Sequence, residues 1–203
     1  MASTIVPIPM IFSKAYRSAL AATVARSRTL LYVLCVYTLC LPSARAGDAF
    51  MSVFSLGPPP VDVARLPLAN AIKTVQGNGR RTVYVLTDPD CRYCRELEHA
   101  LAQLTNVTIY RFEYPLAGLH PNATEVARRI WCAPNRAGAW DTYEANHALP
   151  ADGDTCANPI AANVALASRL GLNGTPDLIN AHGQVHEGMM SLDELEHFVG
   201  GAS

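Results

Sequence analysis

The clearest hydrophobic pattern in the chain is a run of β-branched, aromatic and aliphatic side chains at residues 82–86. A short apolar run of this composition predicts a buried strand. Aspartates and a proline at residues 87–90 predict a turn, and residues 95–101 place apolar side chains among strong helix formers at helical spacing. That helix is expected to run to about Leu104. Residues 107–112 predict a second strand, and the strand–helix–strand order implies a parallel pair.

Upstream of this unit, four apolar residues recur at helical spacing: Leu68, Ala69, Ile72 and Val75. They predict a short helix with Pro67 in its first turn. The Gly-Asn-Gly segment at residues 77–79 predicts the end of that helix. We therefore expect residues 47–79 to form a linker that contains one short helix.

Downstream of the second strand, the pattern predicts further helices and one hairpin. Their expected positions are residues 122–146 with a break near 133–135, residues 158–170, the hairpin at 177–186 and a last helix at 192–199. Asn158 and Pro159 suit the start of a helix, Gly171 suits its end, and Ser191 with Glu194 forms a capping box. This order predicts an α/β, thioredoxin-like fold over residues 80–203, with a central mixed sheet and a helical insertion.

The first 46 residues differ from the rest in charge and hydropathy. Residues 14–28 carry four basic side chains, residues 30–41 are an apolar run of 12, and residues 42–46 end in a small-x-small pattern. This pattern predicts a secretory signal peptide that is cleaved after Ala46, and hence a periplasmic protein. The alternative is an uncleaved membrane anchor, although 12 residues are few for a bilayer span.

The remaining chain is acidic, with 11 basic and 17 acidic side chains after residue 46. It contains no basic patch with interleaved aromatic residues, which argues against nucleic-acid binding. Half of all residues in the chain are hydrophobic, which is enough for a single α/β core. After cleavage we expect no stable insertion into a membrane.

Four cysteines follow the predicted signal peptide: Cys91, Cys94, Cys132 and Cys156. An even number in an oxidising compartment suggests two disulfides, for which three pairings are possible. The adjacency of Cys91 and Cys94 favours pairing these two with each other. We expect that pair to be exposed and reactive.

The Cys91-Arg92-Tyr93-Cys94 motif lies where the predicted strand gives way to a helix. Free backbone N–H groups and the helix dipole favour an anion at such a position. A thiolate is the nucleophile of thiol–disulfide exchange, so Cys91 is the candidate nucleophile and Cys94 the resolving thiol. The neighbouring Arg92 favours the thiolate, whereas Asp88 and Asp90 oppose it. Two alternatives are an inert disulfide and a zinc site, although a lone CxxC lacks two further ligands.

Segments 83–94, 130–133 and 170–176, with Cys156 between the last two, resemble the DsbC/DsbG-type periplasmic disulfide isomerases. The resemblance covers about residues 80–199. It implies disulfide exchange in exported proteins and re-reduction by a membrane thiol reductant. We expect neither a cofactor nor a metal at the site.

The resemblance also assigns individual residues. It implies a cis bond between Thr175 and Pro176 beside Cys91, where an extended substrate chain can pair with free backbone groups. It further implies a structural disulfide between Cys132 and Cys156.

Other residues near the motif are ambiguous. Tyr93 and Arg92 are candidates for the substrate-binding surface, although Tyr93 could equally pack as an ordinary aromatic residue. Val85 stands six residues before Cys91, where many thioredoxins have a buried acid that assists proton transfer. Six histidines share no spacing and are expected at surface or turn positions: His99, His120, His147, His182, His186 and His197. Trp131 and Trp140 are expected in the core.

The chain departs from the resembled family before residue 80. Members of that family carry an N-terminal dimerisation domain, whereas about 33 residues separate the predicted cleavage site from the core here. We therefore expect a monomer, or an atypical dimer, that reduces or isomerises disulfides. The alternatives are a net disulfide oxidant and a non-catalytic thioredoxin-fold module that binds extended segments or belongs to a conjugation or secretion apparatus.

Overall fold

The computed structural model describes residues 59–151 and 155–200. The predicted signal peptide and residues 47–58 of the predicted linker lie outside these residues. The described strands form one mixed sheet with the spatial order β1-β3-β2-β4-β5. They are β1 (Ile72–Gln76), β2 (Arg81–Thr87), β3 (Val107–Glu113), β4 (Asp177–Asn180) and β5 (Val185–Glu187).

Helices flank this sheet and also form the insertion between β3 and β4. The described α-helices are α1 (Arg92–Leu101), α2 (Ala123–Cys132), α3 (Arg136–Asn146), α4 (Ile160–Leu170) and α5 (Leu192–Gly200). Two 3-10 turns, Val63–Arg65 and Leu68–Asn70, precede β1. No helix within the described ranges is long and apolar enough to cross a bilayer.

The central strand β2 pairs in opposite senses with its two neighbours. It runs parallel to β3, with Thr87 opposite Glu113, and antiparallel to β4, with Leu86 opposite Asp177. The predicted parallel pair is therefore confirmed. As a result, the end of β2, the end of β3 and the start of β4 meet at one edge of the sheet.

Alternate residues of β2 supply the two halves of the core, as the period of a strand requires. Val83 and Val85 pack in one apolar cluster with side chains of α1 and α5. Tyr84 and Leu86 pack on the other face with side chains of α4. The sheet is thus covered on both faces, which is the α/β, thioredoxin-like fold that the sequence predicts.

A third apolar cluster joins the insertion to the sheet. It contains Ile72 of β1 together with residues of α2 and α3, including Trp131 and Trp140. Both tryptophans are buried, so their predicted core position is confirmed. The insertion is therefore packed against the edge strand through an apolar contact.

The helix predicted from Leu68 to Val75 is wrong. The chain makes a 3-10 turn at Leu68–Asn70 and then the edge strand β1, which pairs antiparallel with β3. Burial alternates along β1, since Ile72 is 2% exposed and Val75 is 55% exposed. Ile72, Thr74 and Val75 are β-branched, which favours a pleated strand. The sheet therefore begins before Arg80.

The glycines that were expected to end this helix form the turn between β1 and β2 instead. Gly77 and Gly79 have φ angles of 57° and 64°, a backbone region that side chains with a Cβ rarely adopt. At Gly79, an added Cβ would also lie 2.7 Å from a side-chain carbon of Val75. The turn therefore requires glycine.

Several predicted helix ends agree with the structure. The break in the insertion falls between α2 and α3, and Gly171 ends α4 with a φ of 74°. The capping box is formed, because the Ser191 N–H donates to Glu194 Oε2 at 2.9 Å. Helix α4 begins at Ile160, whose N–H donates to Asn158 Oδ1 at 3.3 Å. Helix α1, by contrast, ends at Leu101 rather than near Leu104 as expected.

A disulfide joins Cys132, the last residue of α2, to Cys156, which lies just before α4. The Cα atoms of the two residues are 5.6 Å apart, and 24 positions separate them in the chain. The bond closes the segment that contains α3.

Replacing both Cys132 and Cys156 with alanine is expected to lower the free energy of unfolding by about 3 kcal/mol, because a loop of this length gains entropy in the unfolded chain. Urea unfolding followed by circular dichroism measures the loss. An unchanged free energy of unfolding would contradict a stabilising role for the disulfide.

Candidate active site

The two cysteines of the CxxC motif lie at the start of α1, directly beyond the end of β2. Cys91 is the N-cap residue, with an extended backbone, and its carbonyl oxygen accepts the Arg95 N–H at 3.2 Å. Its own N–H donates to the Asp88 carbonyl oxygen at 3.1 Å, which closes the preceding turn. The helix start thus presents its free N–H groups to the Cys91 sulfur.

Both thiols are free, and both residues are more buried than expected. Cys91 is 6% exposed and Cys94 is 1% exposed. The expectation of an exposed pair is therefore wrong, because the loop before β4 packs on the Cys91 side of the motif. Burial protects the pair from bulk solvent and makes hydrogen bonds to sulfur more effective.

The two sulfurs differ strongly in their affinity for a proton. The pKa of Cys91 is lowered to about 5, first by a hydrogen bond from the Cys94 thiol and further by the backbone N–H groups of Cys94 and Tyr93 and by Thr175, against the opposing effect of burial. The pKa of Cys94 is raised, first by burial and then by the adjacent Cys91 sulfur. Near neutral pH the pair therefore holds one thiolate, on Cys91, and one thiol, on Cys94.

The loop before β4 lies against Cys91, as the resemblance implies. The Thr175–Pro176 bond is cis, and the Cys91 Sγ lies 3.5 Å from the Thr175 carbonyl oxygen. Beyond the proline, Asp177 is buried opposite Glu187 of β5. Burial, followed by the charge of Glu187, raises the pKa of Asp177 to about 6.

The two residues inside the motif are on the surface. Tyr93 is 55% exposed, and the Arg92 guanidinium lies 5.4 Å from the centre of its ring. Arg92 also pairs with Glu96 one turn along the helix, at 3.0 Å. The expected influence of Arg92 on the thiolate is not among the largest causes of the low Cys91 pKa, which are hydrogen bonds.

Sequence reasoning missed a polar network centred on Asp88. The Asp88 side chain is fully buried, and its N–H donates to the Cys94 Sγ at 3.5 Å. Its carboxylate accepts the N–H groups of Asp90 and Leu116 at 2.8 and 2.6 Å, and lies 2.9 Å from His120 Nδ1. The sequence could point only to the aspartate, which is close to the motif. The histidine lies in a later loop, 32 positions away.

Helix α3 of the insertion also contacts the turn before the motif. The Tyr143 hydroxyl donates to Asp90 Oδ1 at 2.6 Å. The next residue, Glu144, is buried and lies 3.8 Å from the Arg95 guanidinium. Burial is the largest cause that raises the pKa of Glu144 to about 8. The insertion therefore supports the turn that carries Cys91.

Metal binding was one alternative for the motif. Within the described residues, no group of three or more histidine, cysteine, aspartate and glutamate side chains could hold a metal ion. Cys132 and Cys156, the other cysteines after the predicted signal peptide, are bonded to each other.

Removing the Cys94 thiol tests the main cause of the low Cys91 pKa. In a Cys94→Ala variant, the pKa of Cys91 should rise from about 5 towards its ordinary value, because the strongest hydrogen bond to the thiolate is lost. Thiolate absorbance at 240 nm, recorded against pH, measures this shift. The Cys132→Ala/Cys156→Ala variant is the control, and an unchanged midpoint in Cys94→Ala would contradict the assignment.

Comparison with known proteins places these residues in a family. Residues 68–202 match the thioredoxin-like domain. A probable thiol:disulfide interchange protein DsbC of Bordetella pertussis is 36% identical over 136 residues, which are 67% of this chain and 48% of that protein. The thiol:disulfide interchange protein DsbC of Escherichia coli is 29% identical over 123 residues, which are 59% of this chain and 51% of that protein. The crystal structure of a disulfide interchange protein from Neisseria gonorrhoeae aligns with a TM-score of 0.64 and 41% identity, over 66% of this chain and 96% of that chain.

The chain spans about half the length of the curated relatives that it matches. Their names and the aligned structure confirm the similarity to DsbC-type thiol:disulfide interchange proteins. The matched residues include the whole described sheet, the CxxC motif and the cis-proline loop. The chain belongs to the thioredoxin-like domain family.

Proposed function

We propose that this protein is a periplasmic thiol–disulfide oxidoreductase that reduces or isomerises disulfides in exported proteins. In this proposal Cys91 is the nucleophile and Cys94 the resolving thiol. The observation that carries the proposal is the geometry of the pair, with Cys91 at a helix start and its sulfur 3.5 Å from the carbonyl oxygen of the cis-proline loop. The lowered pKa of Cys91 and the raised pKa of Cys94 suit the roles of nucleophile and resolving thiol. The similarity to proteins named thiol:disulfide interchange protein supports the same reaction class.

Reduction of a substrate disulfide takes two exchange steps. The Cys91 thiolate attacks one substrate sulfur, so that a mixed disulfide forms and the other substrate sulfur leaves as a thiolate that takes up a proton. Cys94 then loses its proton and attacks Cys91, which releases the second substrate thiol. The substrate disulfide gains two electrons and two protons, and the CxxC pair is oxidised to a disulfide. In isomerisation, a thiol of the substrate displaces Cys91 instead, and the pair stays reduced.

Substrate binding at the cis-proline loop follows from its position. The Thr175 carbonyl oxygen faces the Cys91 sulfur, and an extended substrate segment could pair with the backbone of Thr175 and Pro176. Tyr93 is exposed beside the nucleophile and offers an aromatic contact to such a segment. Arg92, stacked on Tyr93, extends the same surface. We assign these four residues to substrate binding.

The sequence pattern and the second disulfide bear on where the protein acts. The charge and hydropathy pattern of residues 1–46 supports export, and the Cys132–Cys156 disulfide suits an oxidising compartment. A pair that reduces its substrates must be re-reduced, for which we propose a membrane thiol reductant. We further propose that the protein acts as a monomer.

One observation favours a second candidate function, that of a net oxidant. A low pKa of the nucleophile stabilises the reduced form of a CxxC pair and makes its disulfide more oxidising. Equilibration with glutathione separates the two functions. A potential near about −120 mV would favour the oxidant, and one near about −200 mV or below would favour the reductase or isomerase.

Turnover of insulin tests the roles of the two cysteines. Cys91→Ser should abolish insulin reduction, because no thiolate remains to open the substrate disulfide. Cys94→Ala should accumulate mixed disulfides with insulin chains, visible on non-reducing gels, because the resolving thiol is absent. The Cys132→Ala/Cys156→Ala variant, which leaves the motif intact, is the matched control and should keep its activity. Full activity of Cys91→Ser would overturn the proposal.

Recovery of native enzyme from scrambled ribonuclease separates isomerase from reductase activity. Recovery together with insulin reduction is the result expected of an isomerase. Insulin reduction without recovery would assign the protein as a reductase. If neither reaction occurs, the surface around the cis-proline loop would serve binding alone.

A further inference from the structure

The loop that joins β3 to α2 is fastened to the turn before the CxxC motif. Its first residue, Tyr114, donates its N–H to the Thr87 carbonyl oxygen at 2.7 Å, and the Leu116 N–H donates to Asp88 Oδ2 at 2.6 Å. At the far end of the loop, the His120 N–H donates back to the Leu116 carbonyl oxygen at 2.9 Å. These bonds place the imidazole against Asp88, where Nδ1 lies 2.9 Å from the carboxylate.

Asp88 connects this imidazole to the redox pair. A carboxylate only accepts hydrogen bonds, so His120 Nδ1 carries the hydrogen in the contact with Asp88. The same aspartate donates its backbone N–H to the Cys94 Sγ at 3.5 Å. A continuous set of contacts therefore runs from His120 through Asp88 to the buried thiol.

His120 is also coupled to Cys91 by charge. The negatively charged groups that act on its imidazole are Asp88, Asp90 and the Cys91 thiolate, and with the Asp88 hydrogen bond as the largest cause they raise the pKa of His120. Coupling between two titrating groups is reciprocal, so a protonated His120 must favour the Cys91 thiolate to the same extent. Its side chain is 27% exposed, so solvent screens this coupling only in part.

We propose that His120 is a positioning residue of the redox site. It holds Asp88 in contact with Cys94 and, when it is protonated, favours the thiolate form of Cys91. The inference rests on the proposed function, because it takes Cys91 as the nucleophile. The imidazole keeps its hydrogen bond to Asp88 in either charge state, but only the imidazolium stabilises the thiolate. Loss of that charge as the pH rises through the pKa of His120 makes the reduced form of the pair less stable.

Because the coupling is reciprocal, it changes two pKa values, those of Cys91 and His120, that a purely structural role of His120 would leave unchanged. In a His120→Gln variant, which keeps an N–H donor for Asp88 but has no charge, the pKa of Cys91 should rise above its wild-type value. In a Cys91→Ser variant, the pKa of His120 should fall by the same amount, since the thiolate is absent. Absorbance at 240 nm reports the first value, and the pH dependence of the histidine Cε1–H resonance in NMR spectra reports the second.

The matched control is His182→Gln, because His182 lies in the β4–β5 turn, at the opposite end of β4 from Pro176. It should leave the Cys91 pKa at the wild-type value. Equal Cys91 pKa values in His120→Gln, His182→Gln and wild type would overturn the inference, as would an unchanged His120 pKa in Cys91→Ser. If His120→Gln fails to fold, the Cys91→Ser measurement still decides the question because that variant retains His120.

Both pKa values are equilibrium properties of the folded protein and need no substrate. A wild-type protein that fails to reduce insulin would therefore count against the proposed function and leave the coupling intact. Conversely, active wild-type protein with no shift in either variant would overturn the role of His120 alone.

Discussion

The candidate site depends on the way β2 pairs with its two neighbours. Because β3 is parallel to β2, its C-terminal end reaches the same edge of the sheet as the turn that carries Cys91. Because β4 is antiparallel, the same edge receives its N-terminal end, which the cis-proline loop precedes. Two loops that are far away in sequence thus contact the CxxC motif and the turn before it. With either pairing reversed, the His120 loop or the Thr175–Pro176 loop would lie at the opposite edge.

Hydrogen bonds at the start of α1 are the main cause of the low pKa of Cys91. The Cys91 sulfur collects a bond from the Cys94 thiol and further bonds from backbone N–H groups of the first helical turn. Burial raises the pKa of both cysteines, but at Cys94 the hydrogen bonds that lower it do not compensate, so Cys94 keeps its proton. Asp88 links three parts of the site, since it forms hydrogen bonds with Cys94, with Asp90 of the turn and with Leu116 of the next loop. Helix α3 braces the same turn through Tyr143 and Asp90.

Local patterns in the sequence predicted much of this fold. The apolar run of β2, the helix formers of α1 and the capping box of α5 are each written in adjacent residues, and each was found. The edge strand β1 was mistaken for a helix because Ile72 and Val75 are three positions apart, a spacing that suits a helix. The alternation of burial that identifies the strand arises only from its pairing with β3.

The parts of the site that sequence could not predict are non-local. The burial of Cys91 depends on a loop that begins more than 80 positions later, and the contact between Asp88 and His120 joins residues 32 positions apart. The location of a buried acid was equally unpredictable. Many thioredoxins have one at the position of Val85, where this chain has none. A fully buried carboxyl is found on the neighbouring strand instead, at Glu113 opposite Thr87, and burial holds its pKa well above the ordinary value. The spacing of residues along the chain marks neither His120 nor Glu113 as part of the site.

We propose that one cysteine pair exchanges electrons, whereas the other only stabilises the fold. The most direct measurement is differential alkylation with mass spectrometry, after equilibration of the protein in glutathione buffers of graded potential. We expect Cys91 and Cys94 to pass from thiols to a disulfide together in a single two-electron transition, while Cys132 and Cys156 stay bonded throughout. Separate transitions for Cys91 and Cys94, or reduction of the Cys132–Cys156 bond in the same range, would contradict it.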